Sequence, residues 1–271
     1  MLKLLRDACI EVQKEVMALV GTSIGNTKVG LGAGGDVSRK IDIVAENTAI
    51  NYIRNHGKNP TIIGEECGIL EGDNNEGYLI MDALDGTTNA TRDIPYYCCS
   101  LAYAQAPKLS AIKDAAVIDL PSGDLYSASK NHGAQLNGNK IHVKEYDKIN
   151  FEDLVGGINI SGLSADMFST LLPYITGINH IRHYGANALE LCYLARGFLD
   201  LFVDLRMKIR PTDMAASYLI VKESGGNILD LQGNSLDSGV YFSDRLSFIS
   251  VCHLKIFEHF NHDKIQGDMN T

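Results

Sequence analysis

The stretch Tyr78-Leu79-Ile80-Met81-Asp82-Ala83-Leu84-Asp85-Gly86-Thr87-Thr88-Asn89 governs the reading of this chain. Its apolar opening predicts a buried strand, which delivers two carboxylates and then turns at a glycine. Asp82 at the strand end and Asp85 across the turn can converge on one point. The carbonyl of Leu84 adds a third, neutral oxygen of the kind hard cations accept. A helix beginning at the turn would leave the backbone N–H groups of Gly86 and Thr87, with Thr88 beside them, as a phosphate seat next to the metal. Taken alone, Asp-Gly-Thr-Thr-Asn also reads as an ordinary turn with a helix cap.

Two other segments, one on each side of this stretch, add carboxylates. Thr61-Ile62-Ile63-Gly64-Glu65-Glu66 predicts a strand ending in paired acids, a placement that suits an active-site rim better than packing. Arg210-Pro211-Thr212-Asp213-Met214-Ala215-Ala216 puts Asp213 in the first turn of an apolar helix, where an acid also suits the helix dipole.

Further out, apolar spacing predicts a helix over Met1 to Val20 and another from about Arg39 to Asn55, separated by a glycine-rich stretch that reads as a mobile loop. Short apolar runs predict strands at Ser100 to Ala106, Ala115 to Leu120 and Leu125 to Ser129. Beyond Leu154 strands and helices alternate, with strands at Val155 to Asn159, Leu199 to Asp204 and Ser247 to Val251. Helices fall at Ala165 to Leu172, Asn187 to Arg196, Thr212 to Ser224 and Leu254 to Phe260, before a polar tail.

At 271 residues and 45% apolar composition, the chain can bury a sizeable core. A net charge of −9 argues against nucleic acid or an anionic membrane as partner. An anionic substrate still fits, because carboxylates that collect divalent cations invert the local field. No apolar run of about 18 residues could cross a membrane and no signal-peptide pattern is present, so a cytoplasmic protein is expected. The six cysteines follow neither a zinc-knuckle nor a disulfide spacing, and read as reduced, mostly buried thiols. Gly30-Leu31-Gly32-Ala33-Gly34-Gly35 matches a dinucleotide-binding string, but Thr27-Lys28-Val29 before it is a poor strand and Asp36 to Lys40 after it is polar.

Gly64-Glu65-Glu66, the Asp82 to Asn89 run, and Asp213-Met214-Ala215-Ala216 ahead of Glu223-Ser224-Gly225-Gly226 together resemble the inositol monophosphatase family in order and spacing. The Asp36 to Asp42 segment and Arg210-Pro211-Thr212-Asp213 resemble its archaeal branch, whose members act on both fructose 1,6-bisphosphate and inositol monophosphate. The haloacid dehalogenase phosphatases place one residue between their two aspartates, whereas Ala83 and Leu84 both intervene here.

The resemblance implies an α/β (α+β) fold, a layered αβαβα sugar-phosphatase sandwich. An N-terminal subdomain (1–140) would carry the metal motifs, and a C-terminal one (141–271) would complete the site. It implies a lithium-sensitive homodimer using two or three Mg2+ ions on a small sugar or cyclitol phosphate, with no phosphoenzyme. Glu65, Asp82 and the Leu84 carbonyl would hold one metal, and Asp82, Asp85 and Asp213 a second. Asp42 would bond Thr87, and that pair with Glu65 would activate the attacking water. Gly86, Thr87, Thr88, Gly185, Ala186, Asn187, Asp204 and Arg206 would contact substrate, although Asn187 also reads as a plain helix N-cap and Arg206 as a solvated residue.

Thr212 and Ser217 replace a tryptophan and a glycine common in the family and are not expected to touch a metal ligand, and Ala90 replaces an aromatic. Two other readings stand beside this one. A nucleotide phosphatase acting on 3'-phosphoadenosine 5'-phosphate or NADP would need an adenine pocket, for which the chain offers no tryptophan. A non-catalytic metal-dependent binding protein would be expected to have lost a ligand.

Overall fold

The computed structural model describes residues 1–268 apart from Asn74, Phe242 and Ser243, with side chains through Asn261. Helix α1 (Leu2–Met17) is followed by a hairpin of β1 (Lys28–Leu31) and β2 (Val37–Arg39), helix α2 (Lys40–Asn55), β3 (Thr61–Gly64), β4 (Gly68–Leu70) and β5 (Tyr78–Asp85). A single turn, α3 (Thr87–Ala90), leads into β6 (Cys98–Ala104), β7 (Ile112–Asp119), β8 (Leu125–Ser129), β9 (Ala134–Leu136) and β10 (Asn139–Ile141). Then come β11 (Val155–Asn159), α4 (Ala165–Gly177), β12 (His180–Arg182), α5 (Asn187–Ala195), β13 (Leu201–Ile209), α6 (Ala215–Glu223), β14 (Asn227–Leu229), β15 (Leu246–Val251) and α7 (Leu254–Asp268).

Strands β10-β9-β8-β7-β6-β5-β3-β4 form one sheet and β12-β11-β13-β15-β14 another. The first is antiparallel except where β3 runs parallel to β5, so Glu65 and Asp82 emerge from the same end of neighbouring strands. Alternation across the pleat sorts the side chains of this sheet. Leu79, Met81, Cys99 and Leu101 pack with α1 and α2, whereas Ile80, Cys98, Ala102 and Val117 join the core built on α5 and α6. Both faces are apolar, which is why Tyr78–Met81 reads as an unbroken apolar run. Helices α5 and α6 also contact the second sheet, whose far side is covered by α4 and α7. The result is the αβαβα layering.

An irregularity in β5 positions the site. Asp82 pairs with Ser100 and Asp85 with Cys98, three steps on β5 against two on β6. In a regular strand residues three apart face opposite sides; the extra residue of this bulge returns Asp85 to the side of Asp82. The strand thus continues through Asp85 rather than ending at Asp82.

Other expectations are corrected. The stretch read as a mobile loop carries the β1–β2 hairpin, and its strand Lys28–Leu31 includes the Lys28-Val29 step judged poor for a strand. All four residues of that strand are exposed, so no alternation of burial marks it in the sequence. Asp213 ends a short 3-10 turn, Pro211–Asp213, ahead of α6, since Pro211 pre-sets the backbone of the first turn. The polar tail continues α7 as helix to Asp268; Met269 to Thr271 lie outside the described residues. Five of the six cysteines are buried, Cys67 is half-buried, and all are free. Among the described residues no helix is long and apolar enough to cross a membrane.

Candidate active site

The carboxyl ends of β3 and β5, the first turn of α2, the Pro211–Asp213 turn and the start of α5 surround a polar cleft of about 430 Å³. Asp42, Glu65, Glu66, Asp82, Leu84, Asp85 and Asp213 line it, with Gly86, Thr87, Thr88, Gly185, Asn187 and two arginines, Arg39 and Arg210. Carboxylate oxygens of Glu65, Asp82 and Asp213 lie within 4.8 Å of one another. These three acids come from positions 65, 82 and 213, so only the tertiary fold assembles them.

Each acid is held by local geometry. Asp82 Oδ1 accepts the Leu84 N–H at 3.1 Å across the bulge, and Asp85 Oδ2 accepts the Ala188 N–H at 2.7 Å, within the first turn of α5. Asp213 Oδ2 accepts the Arg210 N–H at 3.0 Å, and Asp42 Oδ2 accepts the Arg39 N–H at 2.7 Å, two acids each closing the turn that contains it. Thr87 Oγ1 donates to Asp42 Oδ1 at 2.8 Å and lies 3.2 Å from the Leu84 carbonyl. Glu46 on α2 accepts the N–H groups of Glu66 at 3.1 Å and Cys67 at 2.6 Å, which fixes the turn that aims Glu65 into the cleft.

Burial and mutual repulsion among the acids dominate the electrostatics of the cleft. Burial first, then Asp213, pushes the Glu65 carboxyl up to about 8, against the opposing pull of Arg210. Burial and the neighbouring Glu65 and Asp85 hold Asp82 well above the usual carboxylate range. Burial and Asp213 do the same to Asp85. Glu66 rises to about 7, chiefly by burial, and Asp42 rises for the same reason, opposed by the Arg39 N–H and the Thr87 hydroxyl. A divalent cation held by these carboxylates would displace their protons to solvent and supply the balancing positive charge. The donors are all oxygen, a set that fits Mg2+, Ca2+ or Mn2+ rather than a thiolate-seeking metal.

The turn at Tyr184–Asn187 forms the opposite wall. Asn89 Nδ2 donates to the Tyr184 carbonyl at 2.8 Å, and the Gly185 N–H donates to the buried Glu190 at 3.1 Å. Gly185 and Asn187 line the cleft, whereas the Ala186 side chain is fully buried. Ala186, not Asn187, is the N-cap residue of α5, so Asn187 is not the plain cap. Instead Asn187 Oδ1 takes the Asn159 side-chain N–H at 2.8 Å.

The structure does not bring Asp204 and Arg206 into the cleft lining. Asp204 is fully buried and accepts Arg206 Nε at 3.0 Å on both oxygens and Nη2 at 2.5 Å. Its Oδ2 also accepts Asn159 Nδ2 at 2.8 Å. Asp204 therefore reaches the cleft only through Asn159 and Asn187, and Arg206 is held by its carboxylate. Sequence reasoning gave no role to Asn159, Glu190, Arg39 or Arg210. Arg210 stood in a quoted motif, next to Asp213, and an arginine at a strand end beside a cluster acid was the available signal. Nothing in the local sequence marks Asn159, whose partners lie 28 and 45 residues away.

Fold and cleft together define a metal-fitted α/β sandwich of the sugar-phosphatase type. Residues 1–259 match the inositol monophosphatase family, and the chain belongs to that family. It is 36% identical over 258 residues to the fructose-1,6-bisphosphatase/inositol-1-monophosphatase of Methanothermobacter thermautotrophicus, covering 92% of this chain and 90% of that protein. It is 31% identical over 266 residues to the bifunctional NADP phosphatase/NAD kinase of Methanococcus maripaludis, matching 92% of this chain to 46% of the longer protein. The crystal structure of an inositol monophosphatase–fructose 1,6-bisphosphatase superposes with a TM-score of 0.82 at 27% identity, covering 95% of this chain and 98% of that one.

Proposed function

We propose that this chain is a magnesium-dependent phosphomonoesterase that hydrolyses fructose 1,6-bisphosphate and myo-inositol monophosphate by direct attack of water. The observation that carries the reading is the convergence of Glu65, Asp82 and Asp213 within 4.8 Å, in a cleft that also holds the Asp42–Thr87 pair. The dual-function relative in Methanothermobacter thermautotrophicus supports the substrate assignment.

Glu65, Asp82 and the Leu84 carbonyl would hold one Mg2+, and Asp82, Asp85 and Asp213 a second, with Glu65 available to a third. Cations held there supply Lewis acidity to the phosphoryl oxygens and to the attacking water. The residues of the chain do the positioning. Thr87 Oγ1 donates a hydrogen bond to Asp42 Oδ1, which leaves its lone pairs to accept from the water. Asp42, with its other oxygen fixed by the Arg39 N–H, holds that orientation and would accept the Thr87 hydroxyl proton as the water hands its own proton to Thr87 Oγ1, with Glu65 orienting that water. Gly86, Thr87 and Thr88 line the cleft beside the acids, and their amides would orient the phosphoryl group. Gly185 and Asn187 lie where the sugar or cyclitol hydroxyls would rest.

The assembly inferred is a homodimer, as the family resemblance implies. A cytoplasmic location and lithium sensitivity complete the reading. Phosphate release with Mg2+ from fructose 1,6-bisphosphate, inositol 1-phosphate, 3'-phosphoadenosine 5'-phosphate and NADP, with Asp82→Asn as control, tests it. Turnover of the first two, abolished in the variant, is expected. The relation to the NADP phosphatase/NAD kinase favours a second reading, in which turnover is confined to the nucleotides and the metal mechanism is kept.

A further inference from the structure

One peptide group at the head of the cleft's far wall is held from both ends. The Tyr184 carbonyl accepts Asn89 Nδ2 at 2.8 Å, and the Gly185 N–H, in the same peptide plane, donates to Glu190 Oε1 at 3.1 Å. Asn89 directly follows Thr88 on α3, and its Nδ2 also donates to the Tyr96 carbonyl at 2.8 Å. Glu190 lies one turn into α5, where its N–H donates to the Ala186 carbonyl at 3.0 Å. Ala186, the N-cap, has no side-chain oxygen to close the start of that helix, and the acceptor comes instead from Glu190, which is fully buried. Glu190 Oε2 has no hydrogen-bond partner among the described residues and faces Gly157 on β11, where a Cβ would stand 2.9 Å away. The Tyr184 ring stacks on Tyr96 with 4.6 Å between centroids, outside the cleft lining, and leaves Gly185, in the left-handed region at φ +86°, as the exposed surface of the wall.

We propose that Asn89 and Glu190 are positioning residues for substrate selection: by clamping one peptide from opposite ends they fix the distance between the phosphate seat and the wall that receives the alcohol. The inference rests on the phosphatase reading above. Because Asn89 follows Thr88, its amide moves with the seat and carries the Tyr184 carbonyl with it. Glu190 opposes rotation of that peptide, since a rotated Gly185 N–H would lose a buried acceptor. Burial pushes the Glu190 carboxyl up to about 8, against the pull of the Gly185 and Tyr184 N–H groups, so near neutrality it serves as an uncharged acceptor. Glutamine reproduces that acceptor, whereas methionine keeps only the volume. A substrate whose alcohol carries hydroxyls reads the clamped wall; a phosphate ester of a bare phenol reads the seat alone.

Steady-state kinetics with Mg2+ on fructose 1,6-bisphosphate, inositol 1-phosphate and p-nitrophenyl phosphate test this in the wild-type chain, Glu190→Met, Glu190→Gln and Asn89→Ala. In Glu190→Met the KM for inositol 1-phosphate is expected to rise about tenfold with kcat changed less, the scale of one unmade buried hydrogen bond, while the KM for p-nitrophenyl phosphate stays within about twofold. Asn89→Ala is expected to shift the ratio of the two KM values in the same direction, and Glu190→Gln to leave it near that of the wild type. Amide hydrogen exchange at Gly185 gives a second readout: slow in the wild type and Glu190→Gln, and at least about tenfold faster in Glu190→Met, with the core amides unchanged. Equal losses on both substrates, an unchanged ratio in Asn89→Ala, or a Glu190→Gln chain as impaired as Glu190→Met overturns the inference alone. If Glu190→Met does not fold, the Asn89→Ala ratio decides. A wild-type chain that releases phosphate from neither fructose 1,6-bisphosphate nor inositol 1-phosphate overturns the inference together with the proposed function.

Discussion

Thr87 Oγ1 lies 2.8 Å from Asp42 Oδ1, so the turn after β5 and the first turn of α2 are joined at the cleft floor although 45 residues separate them. The bond sets which way the Thr87 hydroxyl points. If that pair handles the water proton, Thr87→Ala lowers kcat by about 10² to 10³, the range of one lost acid–base contact, with KM within a few-fold of wild type. Thr87→Ser, which keeps the hydroxyl, retains most of the rate. Steady-state kinetics on both variants decide it; a Thr87→Ala enzyme with normal kcat removes the relay from the mechanism.

Asp213→Asn separates structural from metal-binding roles, because the two move in opposite directions. Asp213 raises the proton affinity of Glu65 and Asp85 by like-charge repulsion. Neutralising it relieves that repulsion, and the metal-free variant is expected to melt at or above the wild-type temperature. The rise in melting temperature that Mg2+ gives the wild type should largely vanish, with activity down by at least about a hundredfold. A variant that is less stable without metal but equally stabilised by Mg2+ would make Asp213 a structural acid.

Much of this arrangement could be read from the chain, for identifiable reasons. The core strands of the larger sheet are apolar on both faces, so runs such as Leu79-Ile80-Met81 and Ile62-Ile63 stand out, and the acids that follow them fall at strand ends. That Asp82 and Asp85 line one cleft depends on a bulge opposite β6, which no local pattern reveals, while the group within 4.8 Å is Glu65, Asp82 and Asp213, without Asp85. The β1–β2 hairpin is exposed throughout its first strand and leaves no hydrophobic trace. Arg206 could be read as a solvated residue or an anion ligand because its partner, Asp204, is hidden by the fold; in a strand two residues apart the two side chains share a face and pair.

The chain from Asp204 through Asn159 to Asn187 carries its own prediction. Asn159→Ala deletes both 2.8 Å bonds, leaving the Asp204 carboxylate with Arg206 and Asn187 without its support. A loss of about 1–3 kcal/mol in stability is expected, the usual cost of breaking a buried polar pair. The kinetic signature should be a several-fold rise in KM with kcat changed less, since the proposed function puts Asn187 against the sugar or cyclitol hydroxyls. A drop confined to kcat would argue that this wall does not contact substrate.

The pH dependence of stability follows from Glu65. Its folded-state carboxyl is raised from the ordinary 4.5 to about 8, with Asp82 and Asp85 moved in the same direction. Below pH of about 4.5 the carboxyl is protonated whether the chain is folded or not, and its contribution is complete. Between that point and about 8 the metal-free folded chain retains a proton that the unfolded chain has released, so stability must fall as pH rises through the window. Divalent cations bind the deprotonated acids, and their binding therefore releases protons and strengthens over the same interval. Melting curves in EDTA and in saturating MgCl2 from pH 6 to about 8.5 should diverge, the EDTA series falling and the Mg2+-induced increment growing. An increment that does not grow with rising pH would mean that these acids are already ionised without metal.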